Sequence, residues 1–412
     1  MPARRRIHKP VDSARPPARA GTMFRERLIM LDLDDETDDL VLVENAIVVP
    51  PGPKGQGKWQ PSGVLDSEGR FVTNSISWSA TDDRINGEPE IPDARDITDL
   101  PGTHMFAGIS YGHFGHFITE SMTRIWALDE LRDKIDGLVF TPKNQMKDNL
   151  RPFEVYADLI NNLGLAGIPI TCPAGPVRVE RLYVPKQGFG LGDLTGGSRK
   201  FRNYINAHAG MNVEAAGAKK IYISRSMLPP ERGGILGESK LEEYLTAEGY
   251  SIFHPQRESK LDQLAQYKAA EMIIAVDCSP LHLVGYVGNA RQHVGILRRR
   301  SMAFGELFSR QLGEFKGITC HQVDALVNDW LPENTNRPSR SSFGEIKLVE
   351  MYRMLKAAGM IESDTPWEEL TLEERNADLH RLEKLHKLRF KPFQPDDSFE
   401  TSIVPDSADQ QA

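Results

Sequence analysis

Apolar runs and polar turns alternate most regularly between Lys219 and Gly288. The chain there reads KKIYISRS, a loop, SKLEEYLTAEG, YSIFHP, KLDQLAQYKAA, EMIIAV and SPLHLVGYVG. Short β-branched runs alternating with segments of helical spacing predict strand, loop, helix, strand, helix, strand, helix. That order is half of a doubly wound α/β domain, a fold that holds ligands at the carboxyl ends of its strands. Arg225 follows the strand IYIS, Asp277 follows MIIAV, and Ser279-Pro280 opens the next helix. These polar groups predict a site for an anionic ligand, with a nucleotide the expected one.

The rest of the chain is less regular. Residues 28–49 predict two short strands around an acidic turn, and a Gly/Pro-rich loop follows at 51–57. Short strands and turns are expected over 58–104, then one helix from about His113 to Leu131. GLVFTP, PITCP and VRVERLYVP read as strands, FEVYADLINNLG as a helix, and 199–218 as a helical link. HVGILRR and GITCHQV read as closing strands, and NDWLPENTNRPSR as a loop. FGEIKLVEMYRMLKAAGM and EELTLEERNADLHRLEKLHKL read as helices whose charged faces meet solvent or a second copy of the chain. The expected organisation is a disordered basic leader (1–25), an α/β unit (26–200), a second α/β unit (219–330), a helical extension (340–392) and a disordered tail (393–412).

Composition narrows the class. A chain of 412 residues has room for two full cores, and 40% hydrophobic with 26% charged residues is that of a globular protein. A net charge of −8 argues against a general nucleic-acid binder. No apolar run is long enough to span a bilayer. Three scattered cysteines fit neither a disulfide framework nor a zinc knuckle, so the expected location is a reducing cytoplasm. Cys278 is expected to be a buried structural thiol, although it lies at a strand end within the suspected site. The leader has no apolar core and is not a secretory signal, while its basic charge is suited to peripheral contact with anionic lipid at the inner face of the membrane.

The segment YGHFGHFITESMTRIWAL carries the second group of candidates. At helical spacing Phe114, Ile118, Met122, Ile125 and Leu128 form an apolar face, and His113, His116, Glu120 and Arg124 cluster on another side. His116 and Glu120 are i,i+4 neighbours, so the carboxylate orients the imidazole and raises its basicity. That suits a general base taking a proton from a hydroxyl. The alternatives are that these side chains only tie the helix to a sheet, or that His113, His116 and Glu120 hold a metal, without the HExxH spacing. Arg225, with Arg232 and Glu238 in the loop and helix that follow, suits a diphosphate, because guanidinium donates two parallel charge-assisted bonds. Ser279 as N-cap and Pro280 at the first helical position expose amides to an anion. Asp277 opposes a phosphate there, and is expected to hold a ribose hydroxyl or pair with Arg225; His282 faces the cleft or packs. Asp32-x-Asp34 reads as an acidic turn, and the glycine-rich run 187–198 as a mobile loop bordering the cleft.

Together the two segments resemble glycosyltransferase family 61. His116, Phe117, Glu120, Arg124 and Trp126 match its H-F-x-x-E-x-x-x-R-x-W pattern. Lys220, Ser224-Arg225, Arg232, Glu238, Gly249-Tyr250, Leu261 to Gln263 and Cys278-Ser279 follow in the family's order, and the resemblance covers about residues 40 to 300. Gly237 stands where the family usually has Asn, and Asp277-Cys278-Ser279 replaces His-Gly-Ala. The resemblance implies a GT-B-like architecture of two facing Rossmann-like domains. It also implies inverting transfer from a nucleotide-sugar to a hydroxyl of a glycan or lipid-linked saccharide, without a cofactor or an obligatory metal. His116, Glu120 and His113 would then be catalytic, with Arg225, Arg232, Glu238, Asp277, Cys278, Ser279 and His282 around the donor. The rival readings are a non-catalytic saccharide-binding or scaffolding protein of the same fold and a metal-dependent hydrolase.

Overall fold

Leu40–Val49 (β1) ends in four buried residues, Ala46, Ile47, Val48 and Val49, that begin the first core. With Gly63–Leu65 (β2), Thr98–Ser110 (β3), Gly137–Pro142 (β4), Ile170–Thr171 (β5) and Val177–Pro185 (β6) it forms a sheet in the order β2-β1-β6-β3-β4-β5. β6, β3, β4 and β5 run parallel, while β1 and β2 add antiparallel at one edge. β4 and the second half of β3 are buried throughout, as parallel strands covered on both faces should be. The computed structural model describes residues 31–394 except 34, 36, 53–58 and 302–304. The leader, Asp34 and the tail from 395 onward lie outside the described residues.

The second sheet is parallel throughout. It holds Lys220–Ile223 (β7), Ser251–Phe253 (β8), Met272–Val276 (β9), His293–Leu297 (β10) and Thr319–Val323 (β11) in the order β8-β7-β9-β10-β11. Helices Glu238–Ala247, Lys260–Ala269, Pro280–Val287 and Gly305–Lys316 connect successive strands. The chain is thus an α/β protein, and the strand–helix succession expected over 219–288 is the one observed. The direction of winding reverses between β7 and β9, which opens a crevice at their carboxyl ends.

Several expectations are corrected. Leu31–Leu33 carry no strand. The turns expected up to residue 104 give way at Thr98 to the 13-residue β3. The expected helix from His113 to Leu131 is broken: an α turn at Phe114–His116, a π turn at Phe117–Ser121, an irregular stretch, a 3₁₀ turn at Ile125–Ala127 and a last α turn at Leu128–Leu131. The break follows from Arg124, whose guanidinium leaves the polar face and enters a buried cage of carbonyls. The expected loop NDWLPENTNRPSR begins inside a strand, Leu326–Pro332. That strand pairs Trp330 with Phe343 and Leu331 with Lys391, and these ladders outweigh the local turn signals. Phe343–Ile346 is drawn into the same small sheet, so the helix expected from residue 343 starts only at Leu348.

One apolar cluster runs from Phe117, Phe140 and Leu159 beside the first sheet to Ile221, Ile274 and Tyr286 of the second. Phe189 stacks on Phe201 at 5.0 Å, and Tyr286 and Phe315 meet its ring edge-on. The Tyr286 hydroxyl donates to the carbonyl of Ile118 at 3.2 Å. The turn bearing His116 is thereby fixed against the helix that follows β9. Gly188, Gly190, Gly192, Gly196 and Gly197 of the glycine-rich run are buried in this junction, and Leu191 and Thr195 reach the crevice.

Candidate functional site

A cavity of about 440 Å³ lies between residues 112–119 and the carboxyl ends of β7 and β9. His113, His116, Arg225, Arg232, Asp277, Cys278, Ser279 and His282 all line it. The structure therefore brings together candidates separated by more than a hundred positions in sequence. Glu120 and Glu238 lie behind the lining, 5% and 6% exposed.

On one wall, Glu120 Oε2 is hydrogen-bonded to Nδ1 of His116. The π turn at Phe117–Ser121 carries Glu120 on the same side as His116. With the proton held at Nδ1, the ring's lone pair is at Nε2, the arrangement of a general base with an orienting carboxylate. Tyr111 stacks on the His116 ring at 5.2 Å, and burial first and then the Glu120 charge push its phenol well above the ordinary range. His113 is differently placed. Arg232 donates to its Nε2, which puts the ring proton on Nδ1. Burial, then the charge of Arg232, lowers His113 to about 4, so this imidazole is neutral. Arg124 is absent from the group. It is fully buried and donates to the carbonyls of Pro185, Asn74 and Ile76 and to Ser77 Oγ, which makes it a structural residue. Burial without a paired carboxylate lowers it to about 9.

On the other wall, β7 ends at Ile223 and the chain turns through Ser224 and Arg225. Glu238, at the start of the next helix, accepts from the Arg225 backbone amide at 2.7 Å and from the Tyr222 hydroxyl at 2.9 Å. Burial pushes its carboxyl up to about 7. Glu238 thus fixes the turn beneath Arg225. The Arg225 guanidinium donates to the carbonyls of Gly233 and Arg232, and burial, then the charge of Arg299, holds it down to about 10.

Asp277 does not pair with Arg225. Its carboxylate lies between Arg299, with Nε 2.8 Å from Oδ1, and Arg300, with Nε 3.2 Å from Oδ2. Neither arginine was expected, although the run Arg298-Arg299-Arg300 directly after an apolar strand is the sequence signal that marks them. Lys260 was also missed. It sits over the Phe114 ring at 4.2 Å, lines the cavity, and is lowered to about 8 by burial.

Ser279 does not act as an N-cap. Its backbone is already helical and its side chain makes no capping bond. Its Oγ instead faces Gly115, where an added Cβ would stand 2.7 Å away. Cys278 is buried, and burial pushes its thiol up to about 12, which leaves it an unreactive wall residue. His282 bonds Gln311 Oε1 through Nδ1 at 2.6 Å and packs against Phe308, and burial lowers it to about 4.

The lining is strongly cationic. Arg225, Arg232, Lys260, Arg299, Arg300 and Arg340 contribute positive charge, and Asp277 is the one carboxylate among the lining residues described. The charge of such a lining favours an anion over a cation. Among the described residues no three His, Cys, Asp or Glu are grouped to hold a metal ion. Among them, too, no helix is long and apolar enough to cross a membrane.

Residues 114–293 match the family model described as Glycosyltransferase 61. The match takes in His116, Glu120, Arg225, Arg232, Glu238 and Asp277 through His282, and ends before Arg299 and Arg300. No curated protein matches the chain.

Proposed function

We propose that this chain, whose residues 114–293 match the model of glycosyltransferase family 61, is a member of that family and an inverting enzyme that uses a nucleotide-sugar donor. The acceptor is a hydroxyl of a glycan or lipid-linked saccharide. The mixed first sheet and the parallel second sheet would be the facing Rossmann-like units of a GT-B arrangement, with the second sheet holding the donor. The observation that carries the reading is the meeting, in one cavity, of a carboxylate-oriented imidazole and a set of arginines.

The reaction needs one base and one anion grip. His116 Nε2 takes the acceptor proton while Glu120 holds the ring and balances the charge that develops on it. The acceptor oxygen attacks C1, the bond from C1 to the diphosphate breaks, and its electrons stay on the phosphoryl oxygen. Arg225 and Arg232 stabilise the departing charge. A cationic wall of this kind performs the neutralisation that a divalent ion supplies elsewhere, so the proposed reaction is metal-independent. The proposed location is the cytoplasm, where nucleotide-sugars are made, with the basic leader available for contact with the inner membrane face.

The test is a panel of nucleotide-sugars incubated with the full chain and a saccharide acceptor. Nucleotide release that Arg225→Ala abolishes supports the reading. Absence of both release and nucleotide binding across the panel contradicts it.

A further inference from the structure

Arg299 stands at the end of β10, beside β9, with its side chain only 4% exposed. Its Nε lies against Asp277, 2.8 Å from Oδ1, and donates to the Asp277 carbonyl at 3.2 Å. Nη1 of the guanidinium is buried and has no hydrogen-bond partner among the described residues. Yet the residue lines the cavity. A buried cationic donor without a protein acceptor is costly, and folded proteins usually complete one with water, an ion or a ligand.

Arg225 is close enough for the charge of Arg299 to contribute to lowering it. The two guanidiniums therefore face the same cavity near enough for their like charges to repel. Asp277 lies between Arg299 and Arg300, and the Asp329 carboxylate is close enough to feel the Arg300 charge. A multi-oxygen anion bridging Arg225 and Arg299 would remove the repulsion and satisfy Nη1 together.

We infer that Arg299 is a second arginine of the donor site, gripping the diphosphate with Arg225 while Asp277 holds its guanidinium in place. The inference rests on the donor reading above. It removes the conflict between Asp277 and an anion site, since the carboxylate lies against Arg299 and Arg300. A sugar carboxylate offers the same pair of oxygens, so the probes must separate it from phosphate.

The experiment is calorimetric titration of the full chain with inorganic pyrophosphate and, separately, with glucuronate. Arg299→Lys keeps the charge opposite Asp277 but loses the planar fork. The expected result is pyrophosphate affinity lowered about tenfold to a hundredfold with melting little changed, and no Arg299-dependent binding of glucuronate. Pyrophosphate affinity equal to that of the parent in a folded Arg299→Lys protein overturns the inference, as does loss of glucuronate binding alone. If Arg225→Ala abolishes pyrophosphate binding while Arg299→Lys leaves it intact, the donor reading stands and the role of Arg299 falls. A crystal structure of the parent protein with pyrophosphate gives a second, fold-independent answer. Nη1 should lie within about 3 Å of a phosphoryl oxygen, and pyrophosphate bound away from Nη1 overturns the inference.

Discussion

Arg232 donates a hydrogen bond to Nε2 of His113, latching the loop after β7 to the segment that carries His116 and Glu120. The two histidines therefore divide their roles. His113 spends its acceptor nitrogen on the latch, whereas His116 is oriented by Glu120. His113→Ala should lower kcat/KM by about tenfold, through a displaced Arg232, against about a hundredfold or more for His116→Ala. Steady-state kinetics of the two variants check the order, and equal losses would contradict the division.

Glu238 sets a pH dependence of stability. Its ordinary value of 4.5 is pushed up to about 7 in the fold by burial. Between those limits the folded state keeps a proton that the unfolded chain has released, so this group's contribution falls as pH rises through the window. The loss is on the order of 3 kcal/mol. Denaturant unfolding at pH 5 and 7.5 should show the parent losing ground to Glu238→Gln as pH rises, and parallel behaviour would refute the shift. His282 acts with the opposite sign: lowered from 6.5 to about 4, it destabilises the fold as pH falls through that range.

Arg124 supports the fold without entering the cavity. Its guanidinium donates to three carbonyls and to Ser77 Oγ, and a Cβ at Gly108 would stand 2.6 Å from its Nη1. Gly108 also has φ +104°, where a side chain is strained. Arg124→Met should cost on the order of 3–5 kcal/mol by leaving buried acceptors unsatisfied. Gly108→Ala should also destabilise the protein. Thermal melting checks both, and unchanged melting in either would contradict the cage.

What the sequence made legible was local. The βαβ succession of the second sheet is written in short β-branched runs and helical spacing, and the His116–Glu120 pair in an i,i+4 interval. What it concealed was set by distant partners. Arg299 and Arg300 reach Asp277 because two neighbouring strands end side by side, a register that no local pattern states. Arg124 sits at the right spacing for the polar face of a helix, yet a cage contributed by Asn74, Ile76, Ser77 and Pro185 draws it away. The strand Leu326–Pro332 reads as a turn until Phe343 and Lys391 pair with it.

The cationic wall replaces a metal in the proposed chemistry. Turnover measured after exhaustive chelation should equal that of the untreated protein, and added magnesium or manganese should change it less than about twofold. A loss restored by a divalent ion would contradict this.

Single-turnover transfer by His116→Ala, with pyrophosphate affinity measured on the same preparation, separates the base from the anion grip. The expected result is transfer slowed by at least about a hundredfold with pyrophosphate affinity unchanged. Transfer at the parent rate would remove His116 from the mechanism and leave the cavity only a binding site.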